Sequence, residues 1–270
     1  MKLPEGYVVE SVLSPGPVAF VALARGADGG LCVLKTAAID RGVDAIRNEE
    51  AVLRALGAAG VEGVPRLLDT WAEGFALEHI GIPTLRECTA LLREYAALLR
   101  GGADLRDAVA RRGFDRLAAV HAAADARGPL AVVHGDVSPD NLFVARDGSK
   151  AVLADFGLAR WREGGPSGGT FRGTLPYAAP EVARGEDFDG RADDFSLAAS
   201  ILEVVTGIAL RGDSGSKAVM LVDAGTRRLD AAHPWRALAP KLFSAGVAGA
   251  LLACLAFDPR DRPRETPRPC

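Results

Sequence analysis

Two acidic side chains and an amide lie close together in the middle of the sequence. Asp136 and Asn141 fall within residues 133–141, Val-His-Gly-Asp-Val-Ser-Pro-Asp-Asn, and Asp155 heads Asp155-Phe156-Gly157. Between them Leu142-Phe143-Val144, a turn from Ala145 to Ser149 containing Asp147-Gly148, and Ala151-Val152-Leu153-Ala154 read as a hairpin. A hairpin of that length returns Asp155 to the edge that carries Asp136 and Asn141. Carboxylate and amide oxygens are what a hard cation such as Mg²⁺ takes, and a carboxylate beside them can orient a hydroxyl for phosphoryl transfer.

The 270 residues are 49% hydrophobic and 25% charged, enough to bury a sizeable core and unlike a disordered chain. A formal net charge of −3 gives no electrostatic reason to expect nucleic acid or an anionic membrane as partner, which leaves a small molecule or a protein as substrate. Cys32, Cys88, Cys254 and Cys270 show no Cys-x-x-Cys spacing, so neither a zinc site nor a disulfide framework is indicated. The opening Met1-Lys2-Leu3-Pro4-Glu5 lacks the basic and apolar runs of a signal peptide. The longest apolar stretch, Gly246 to Phe257, is about half of a membrane span and reads as a buried helix. The expectation is a cytoplasmic protein, and the Ala- and Arg-rich composition suggests a GC-rich bacterial genome.

Around the central stretch two regions differ in character. Residues 7–35 alternate apolar runs with Gly and Pro, with Asp28-Gly29 as a hairpin turn, so three antiparallel strands are expected. Val43, Ile46, Val52, Leu53 and Leu56 recur at helical steps over residues 42–57, and residues 63–77 return to extended segments. From Thr84 the chain becomes helical: Leu85 to Leu99, Leu105 to Ala124, residues 193–206 and residues 237–256, with a glycine-rich loop from Gly164 to Gly173. The proline-rich close, from Pro263 on, is not helical. The fold class is α+β: a small antiparallel β lobe with one helix at about residues 1–78, a hinge at about 78–84, and a larger, mainly α-helical lobe at about 85–270.

Several motifs in order resemble the protein kinases of the Ser/Thr type, over nearly the whole chain. His134-Gly135-Asp136 with Asn141 is similar to the H-R-D-x-x-x-x-N catalytic loop, Asp155-Phe156-Gly157 to D-F-G, and Ala179-Pro180-Glu181 to A-P-E. Gly173-Thr174-Leu175-Pro176-Tyr177 resembles the substrate-docking loop. Asp193 and Arg262 resemble the helix-anchoring Asp and the Arg that pairs with the A-P-E glutamate. The resemblance implies a bilobal kinase fold, ATP and Mg²⁺ as cofactors, and a protein substrate. It implies Asp136 as the group that takes or orients the hydroxyl proton, and Asn141 and Asp155 as metal ligands. Lys35, at the end of Cys32-Val33-Leu34-Lys35, matches V-A-I-K, and its acidic partner is Glu49 by register, in preference to Glu50. Leu77 stands in the gatekeeper place. Glu78 and Ile80 offer backbone groups to adenine, Val21, Val33 and Phe143 sandwich it, and Ser14 and Gly16 belong to the phosphate-covering loop. His134 packs beneath Phe156.

Three departures bear on activity. The G-x-G-x-x-G loop keeps only Gly16, with Ser14 and Ala19 at the outer positions and Pro15 and Pro17 removing N–H donors, so weaker nucleotide binding is expected. Ser138 replaces the catalytic-loop lysine, which points to a slow kinase or to a nucleotide-binding pseudokinase. His134-Gly135-Asp136 is also a form shared by small-molecule phosphotransferases of the aminoglycoside or choline kinase type, though these generally lack Ala179-Pro180-Glu181 and Arg262. Gly135 replaces the arginine that would hold a loop phosphate. Phosphorylation of Ser167, Thr170 or Thr174 is therefore not expected to be the on-switch, although Arg160, Arg162 or Arg172 could serve as a local partner.

Overall fold

In the computed structural model residues 5–15, 19–95, 102–165, 173–211, 215–226 and 232–269 are described. The first part is a five-stranded antiparallel sheet, β1 (Val8–Pro15), β2 (Ala19–Arg25), β3 (Leu31–Ala37), β4 (Leu67–Trp71) and β5 (Gly74–Glu78), in the order β1-β2-β3-β5-β4. Alternation along β2, β3 and β5 gives the sheet two unlike faces. Ala22, Ala24, Cys32, Leu34 and Ala76 are buried on one, where Tyr7 and Trp71 pack. Val21, Val33 and Lys35 lie on the other, with Leu77 opposite Val33 and Phe75 opposite Lys35. Helix α1 (Asp40–Ala58) covers that second face through Ile46, Val52, Leu53 and Leu56.

Glu49 falls between Ile46 and Leu53 on the apolar stripe of α1. The periodicity that buries those two side chains therefore buries this carboxylate as well, and it is 1% exposed. Glu50, one step round the helix, pairs with Arg54 at 2.7 Å. β1 is longer than the sequence suggests. It continues to Pro15 through irregularities at Val9/Ser11 and Val12/Ser14, which take up the bends that Ser and Pro signal.

The second part is mainly helical, as expected for an α+β chain: α2 (Gly102–His121), α3 (Pro180–Ala183), α4 (Gly190–Thr206), α5 (Lys217–Thr226), α6 (Pro234–Leu242) and α7 (Ala245–Cys254). Its core holds Phe114, Leu117, Leu130, Leu142, Leu153, Leu197, Ile201, Trp235 and Leu251. Three expectations are corrected here. The helix expected from Leu85 begins later: residues 85–88 form turns, residues 89–90 are helical, Leu91–Tyr95 is a π-helical turn, and residues 96–99 lie outside those described. Helix α2 stops at His121 instead of Ala124. There a short hairpin, β6 (Ala124–Asp125) and β7 (Gly128–Pro129), overrides the helix propensity of three alanines, closed by the Leu130 amide donating to Ala123 O at 2.8 Å. Residues 237–256 split into α6 and α7 because the Ser244 amide donates instead to Asp107 Oδ1 on α2, at 3.0 Å. The short α3 and the α5 helix have no counterpart in the periodicity reading.

Helix α4 carries two adjacent buried carboxylates. Asp193 is fully engaged, as described below. Asp194 is 0% exposed, and burial pushes its carboxyl up to about 6, against the pull of His121. A carboxyl whose folded pKa exceeds its unfolded value contributes stability below the unfolded pKa, near 4, and loses it as pH rises through about 6. The wild-type chain should therefore lose ground to Asp194→Asn between about pH 4 and about pH 7, by on the order of 1–3 kcal/mol. Urea unfolding of both chains across that range checks it, and parallel pH curves would sink the assignment.

Candidate active site

Lys35 joins the two parts of the fold. Its Nζ lies 2.6 Å from Glu49 Oε2 and 2.8 Å from Asp155 Oδ1, so one ammonium bridges strand β3, helix α1 and the end of the central hairpin. Burial pulls the ammonium pKa down, but the two carboxylates outweigh it and hold Lys35 above its ordinary value. Burial likewise raises the Glu49 carboxyl, with Lys35 opposing, while Lys35 overcomes the burial of Asp155 and keeps its carboxyl low. Asp155 itself has a left-handed backbone, φ 65°, an uncommon state for a residue with a side chain. Its carboxylate accepts from the Gly157 amide at 3.3 Å, the local bond that lets an Asp occupy this region.

The hairpin forms as the sequence predicts, with β8 (Leu142–Val144) paired to β9 (Ala151–Leu153). At its open end the Ala154 amide donates to Asn141 O at 2.9 Å, which places Asn141 beside the approach to Asp155. Asn141 Nδ2 donates to Asp136 O at 2.9 Å and faces Asp136 Oδ2 at 3.4 Å. Asp136 Oδ1 accepts from the Thr174 amide at 2.8 Å, tying this loop to Gly173-Thr174. Burial raises the Asp136 carboxyl, opposed by Thr174.

Asp193 holds the loop from below. Its Oδ2 accepts from the His134 amide at 2.7 Å and its Oδ1 from the Gly135 amide at 2.9 Å, while His121 Nε2 lies 3.0 Å away. His134 is fully buried, with its ring 4.7 Å from that of Phe156 and Nε2 at 3.0 Å from Ala154 O, so it packs and does not face the cleft. Gly135 has φ 76°, and a Cβ there would meet Leu158 O at 2.9 Å. A side chain at this position costs about 1–2 kcal/mol of backbone strain before any contact it makes.

The remaining sequence-predicted residues line the opposite wall. Val21 and Val33 are half-buried on the Lys35 face of the sheet, and Leu77 is buried beside them. Phe143 is half-buried on β8 and bridges to Thr84, while the Leu85 amide donates to Leu142 O at 2.6 Å, so the segment after β5 is stitched to the hairpin. The Glu78 amide donates to Arg66 O at 3.0 Å, so that N–H is already used within the fold. Ile80 is half-buried just beyond β5, and Ser14 lies exposed on β1. Gly16, Ser167, Thr170 and Arg172 lie outside the described residues.

Among the described residues no group of three or more His, Cys, Asp or Glu could hold a metal unaided. Asn141 and Asp155 nevertheless fit Mg²⁺, which is bound through one or two protein oxygens together with substrate phosphates. The amide nitrogen of Asn141 is committed to Asp136, which leaves its oxygen to offer.

The sequence matches the protein kinase domain family over residues 110–266, more than half of the chain. The chain belongs to the protein kinase family. The matched part contains His134-Gly135-Asp136, Asn141, Asp155-Phe156-Gly157 and Ala179-Pro180-Glu181, whereas Lys35 and Glu49 precede it and are placed by the structure. Among curated proteins it is similar to the tyrosine-protein kinase MasK of Myxococcus xanthus, 37% identical over 138 residues, covering 50% of this chain and 20% of MasK. It is similar also to two serine/threonine-protein kinases of Mycobacterium tuberculosis. PknF is 43% identical over 83 residues, 28% of this chain and 17% of PknF. PknJ is 40% identical over 96 residues, 34% of this chain and 16% of PknJ. The chain thus spans a fifth or less of the length of these relatives. No helix among the described residues is long and apolar enough to cross a membrane.

Elsewhere in the chain the geometry joins side chains that the sequence reading did not connect. Arg86, just after the β5 exit, donates to Asp140 at 2.9 and 3.0 Å and to the Tyr177 hydroxyl at 2.9 Å; Tyr177 donates in turn to Glu203 Oε1 at 2.7 Å. These four come from segments up to 117 positions apart, so no spacing rule could have joined them. Ser138 is 2% exposed. Among the described residues the partners of Asp136 are amides, not a cation.

Proposed function

We propose that this chain is a single protein kinase domain that transfers the γ-phosphoryl group of ATP to Ser or Thr hydroxyls of protein substrates, at a reduced rate. The observation that carries the reading is Lys35 between Glu49 and Asp155, at 2.6 and 2.8 Å: a cation preset at the place where the hinge wall and the hairpin meet. In this reading Val21, Val33, Leu77 and Phe143 hold the adenine, and the Glu78 and Ile80 backbone reads its edge. Ser14 and Gly16 are assigned to phosphate binding. Lys35, held by Glu49, pairs with phosphate oxygens, and Asn141 and Asp155 ligate Mg²⁺. A metal held by Asn141 and Asp155 would supply positive charge against the charge that develops on the phosphates. Asp136 accepts or orients the proton of the attacking hydroxyl; Thr174 and Asn141 fix its two oxygens. Hydroxyl acceptors on Ser or Thr are favoured by the Gly173-Thr174 loop that bonds Asp136 directly. A cytoplasmic, bacterial setting fits the cysteine usage and composition.

Ser138 favours a second reading, a nucleotide-binding module without turnover, because the buried hydroxyl supplies no charge where the phosphoryl group would pass. Incubation with labelled ATP and Mg²⁺ beside an Asp136→Ala control, with a basic protein and with aminoglycosides as acceptors, separates the readings. Label on the protein acceptor that vanishes in the control supports the kinase. Thermal stabilisation by ATP without label supports the module, and label on the small acceptor alone sinks both.

A further inference from the structure

Helix α1 carries a second polar residue aimed at the same segment as Glu49. Asn48 is half-buried, and both ends of its amide are used: Nδ2 donates to Ala159 O at 2.9 Å, and Oδ1 accepts from the indole Trp161 Nε1 at 3.3 Å. Both partners lie just beyond Asp155-Phe156-Gly157. Neighbouring residues of one helix thus take hold of two things, Glu49 the Lys35 ammonium and Asn48 the backbone and ring that follow the Asp155 turn.

From the other side the same segment is gripped by the β6–β7 hairpin and the strand after it. Arg160 exchanges both backbone bonds with Val133, at 2.8 and 2.9 Å, and the Arg162 amide donates to Leu130 O at 2.8 Å. The Arg162 guanidinium donates to both Asp125 oxygens, at 3.0 and 2.6 Å, and to Gly128 O at 3.0 Å, while Arg127 pairs with Glu163. The one phosphate-binding position that the catalytic loop could have offered is Gly135, whose backbone resists a side chain.

We propose that Asn48 is a positioning residue that latches helix α1 to residues 159–161, so that the Lys35–Glu49 pair and the ordered segment form together without a loop phosphate. The latch rests on the kinase reading for its effect on turnover and on nucleotide binding; its effect on the order of residues 158–163 does not. An amide is required because one end donates and the other accepts. Asn48→Asp keeps the acceptor for Trp161 but loses the donor to Ala159, Trp161→Phe removes the indole bond alone, and Asn48→Leu removes both.

The test measures amide hydrogen exchange at residues 158–163, affinity for Mg²⁺·ADP, and the unfolding midpoint. In Asn48→Leu, exchange at the Arg160 and Arg162 amides should rise by about tenfold and Mg²⁺·ADP affinity should fall by about three- to tenfold, with the two single-bond variants between. The midpoint should stay near that of the wild type. Phosphatase treatment of the wild type should leave exchange unchanged. Unchanged exchange in Asn48→Leu would overturn the proposal. So would a rise spread over the whole chain with a lowered midpoint, or a phosphatase-treated wild type that exchanges like Asn48→Leu. A chain that neither turns over ATP nor binds ADP would defeat the kinase reading, while the exchange arm would still decide the latch.

Discussion

Asp136→Asn is expected to lower phosphoryl transfer to a protein acceptor by about a thousandfold while Mg²⁺·ATP affinity changes by less than about threefold. The substitution is isosteric, so the packing of a largely buried side chain is kept. An asparagine oxygen can still accept from the Thr174 amide, now at 2.8 Å. What is lost is the lone pair that takes the proton of the attacking hydroxyl, a function worth roughly two to four orders of magnitude where a positioned carboxylate performs it. Nucleotide affinity is assigned to other groups, the ammonium of Lys35 and the apolar wall of Val21, Val33 and Phe143, which the change does not touch. The comparison uses initial rates with a labelled phosphoryl group, and calorimetry for binding. Equal rates in the two proteins would remove Asp136 from the chemistry. Loss of binding in the variant would show that the loop had collapsed, and Asp136→Glu, which keeps the carboxylate, would then be compared on the same two readouts.

The parts of this site that could be read in advance are those set by short-range physics. Asp147-Gly148 between two apolar runs is enough to fold Asp155 back beside Asn141, while the choice of Glu49 over Glu50 comes from the register of the resembled family, and the structure accounts for it because Glu49 lies on the buried face with Ile46, Leu53 and Leu56. Lys35 lies two residues before the end of a strand whose alternation puts Val33 and Lys35 on one side, and the same alternation faces them toward α1. The parts that were not legible depend on contacts between distant segments. Ala122, Ala123 and Ala124 favour helix locally, yet the chain turns at His121 because the β6–β7 hairpin is stabilised by Arg162, far along the sequence. The split of residues 237–256 follows from one carboxylate on α2, Asp107, claiming the Ser244 amide. Arg86, Tyr177, Glu203 and Asp140 form a charged cluster with no sequence signature, and Asp194 looks like an ordinary helix-opening acid until its burial is seen.

Arg262→Ala is expected to produce the largest loss of stability of any substitution away from the cleft, about 3–5 kcal/mol. Arg262 and Glu181 form a bidentate pair, Nη1 to Oε1 at 2.6 Å and Nη2 to Oε2 at 2.8 Å, with the residues 3% and 2% exposed. The guanidinium also donates to Ala256 O at 2.8 Å, Arg191 O at 3.1 Å and Phe257 O at 3.3 Å, and lies 4.9 Å from the centre of the Phe195 ring. Removing it strands a buried carboxylate and three carbonyls at once, and leaving one partner of a buried ion pair behind costs far more than the pair gains over an apolar substitute. The unfolding midpoint should fall by roughly 6–20 °C for a chain of this size. Glu181→Gln keeps its hydrogen-bonding oxygen and removes the buried negative charge, so it should cost less than Arg262→Ala. Combining Glu181→Leu with Arg262→Met should recover part of the loss, because no charge is then left buried. The consequence reaches the site through α3. Glu181 sits on that short helix soon after Leu175-Pro176-Tyr177, whose start at Thr174 bonds Asp136, so the pair anchors the end of the segment that holds Asp136. If Arg262→Ala unfolds within about 1 kcal/mol of the wild type, the pair is not the clamp its geometry describes.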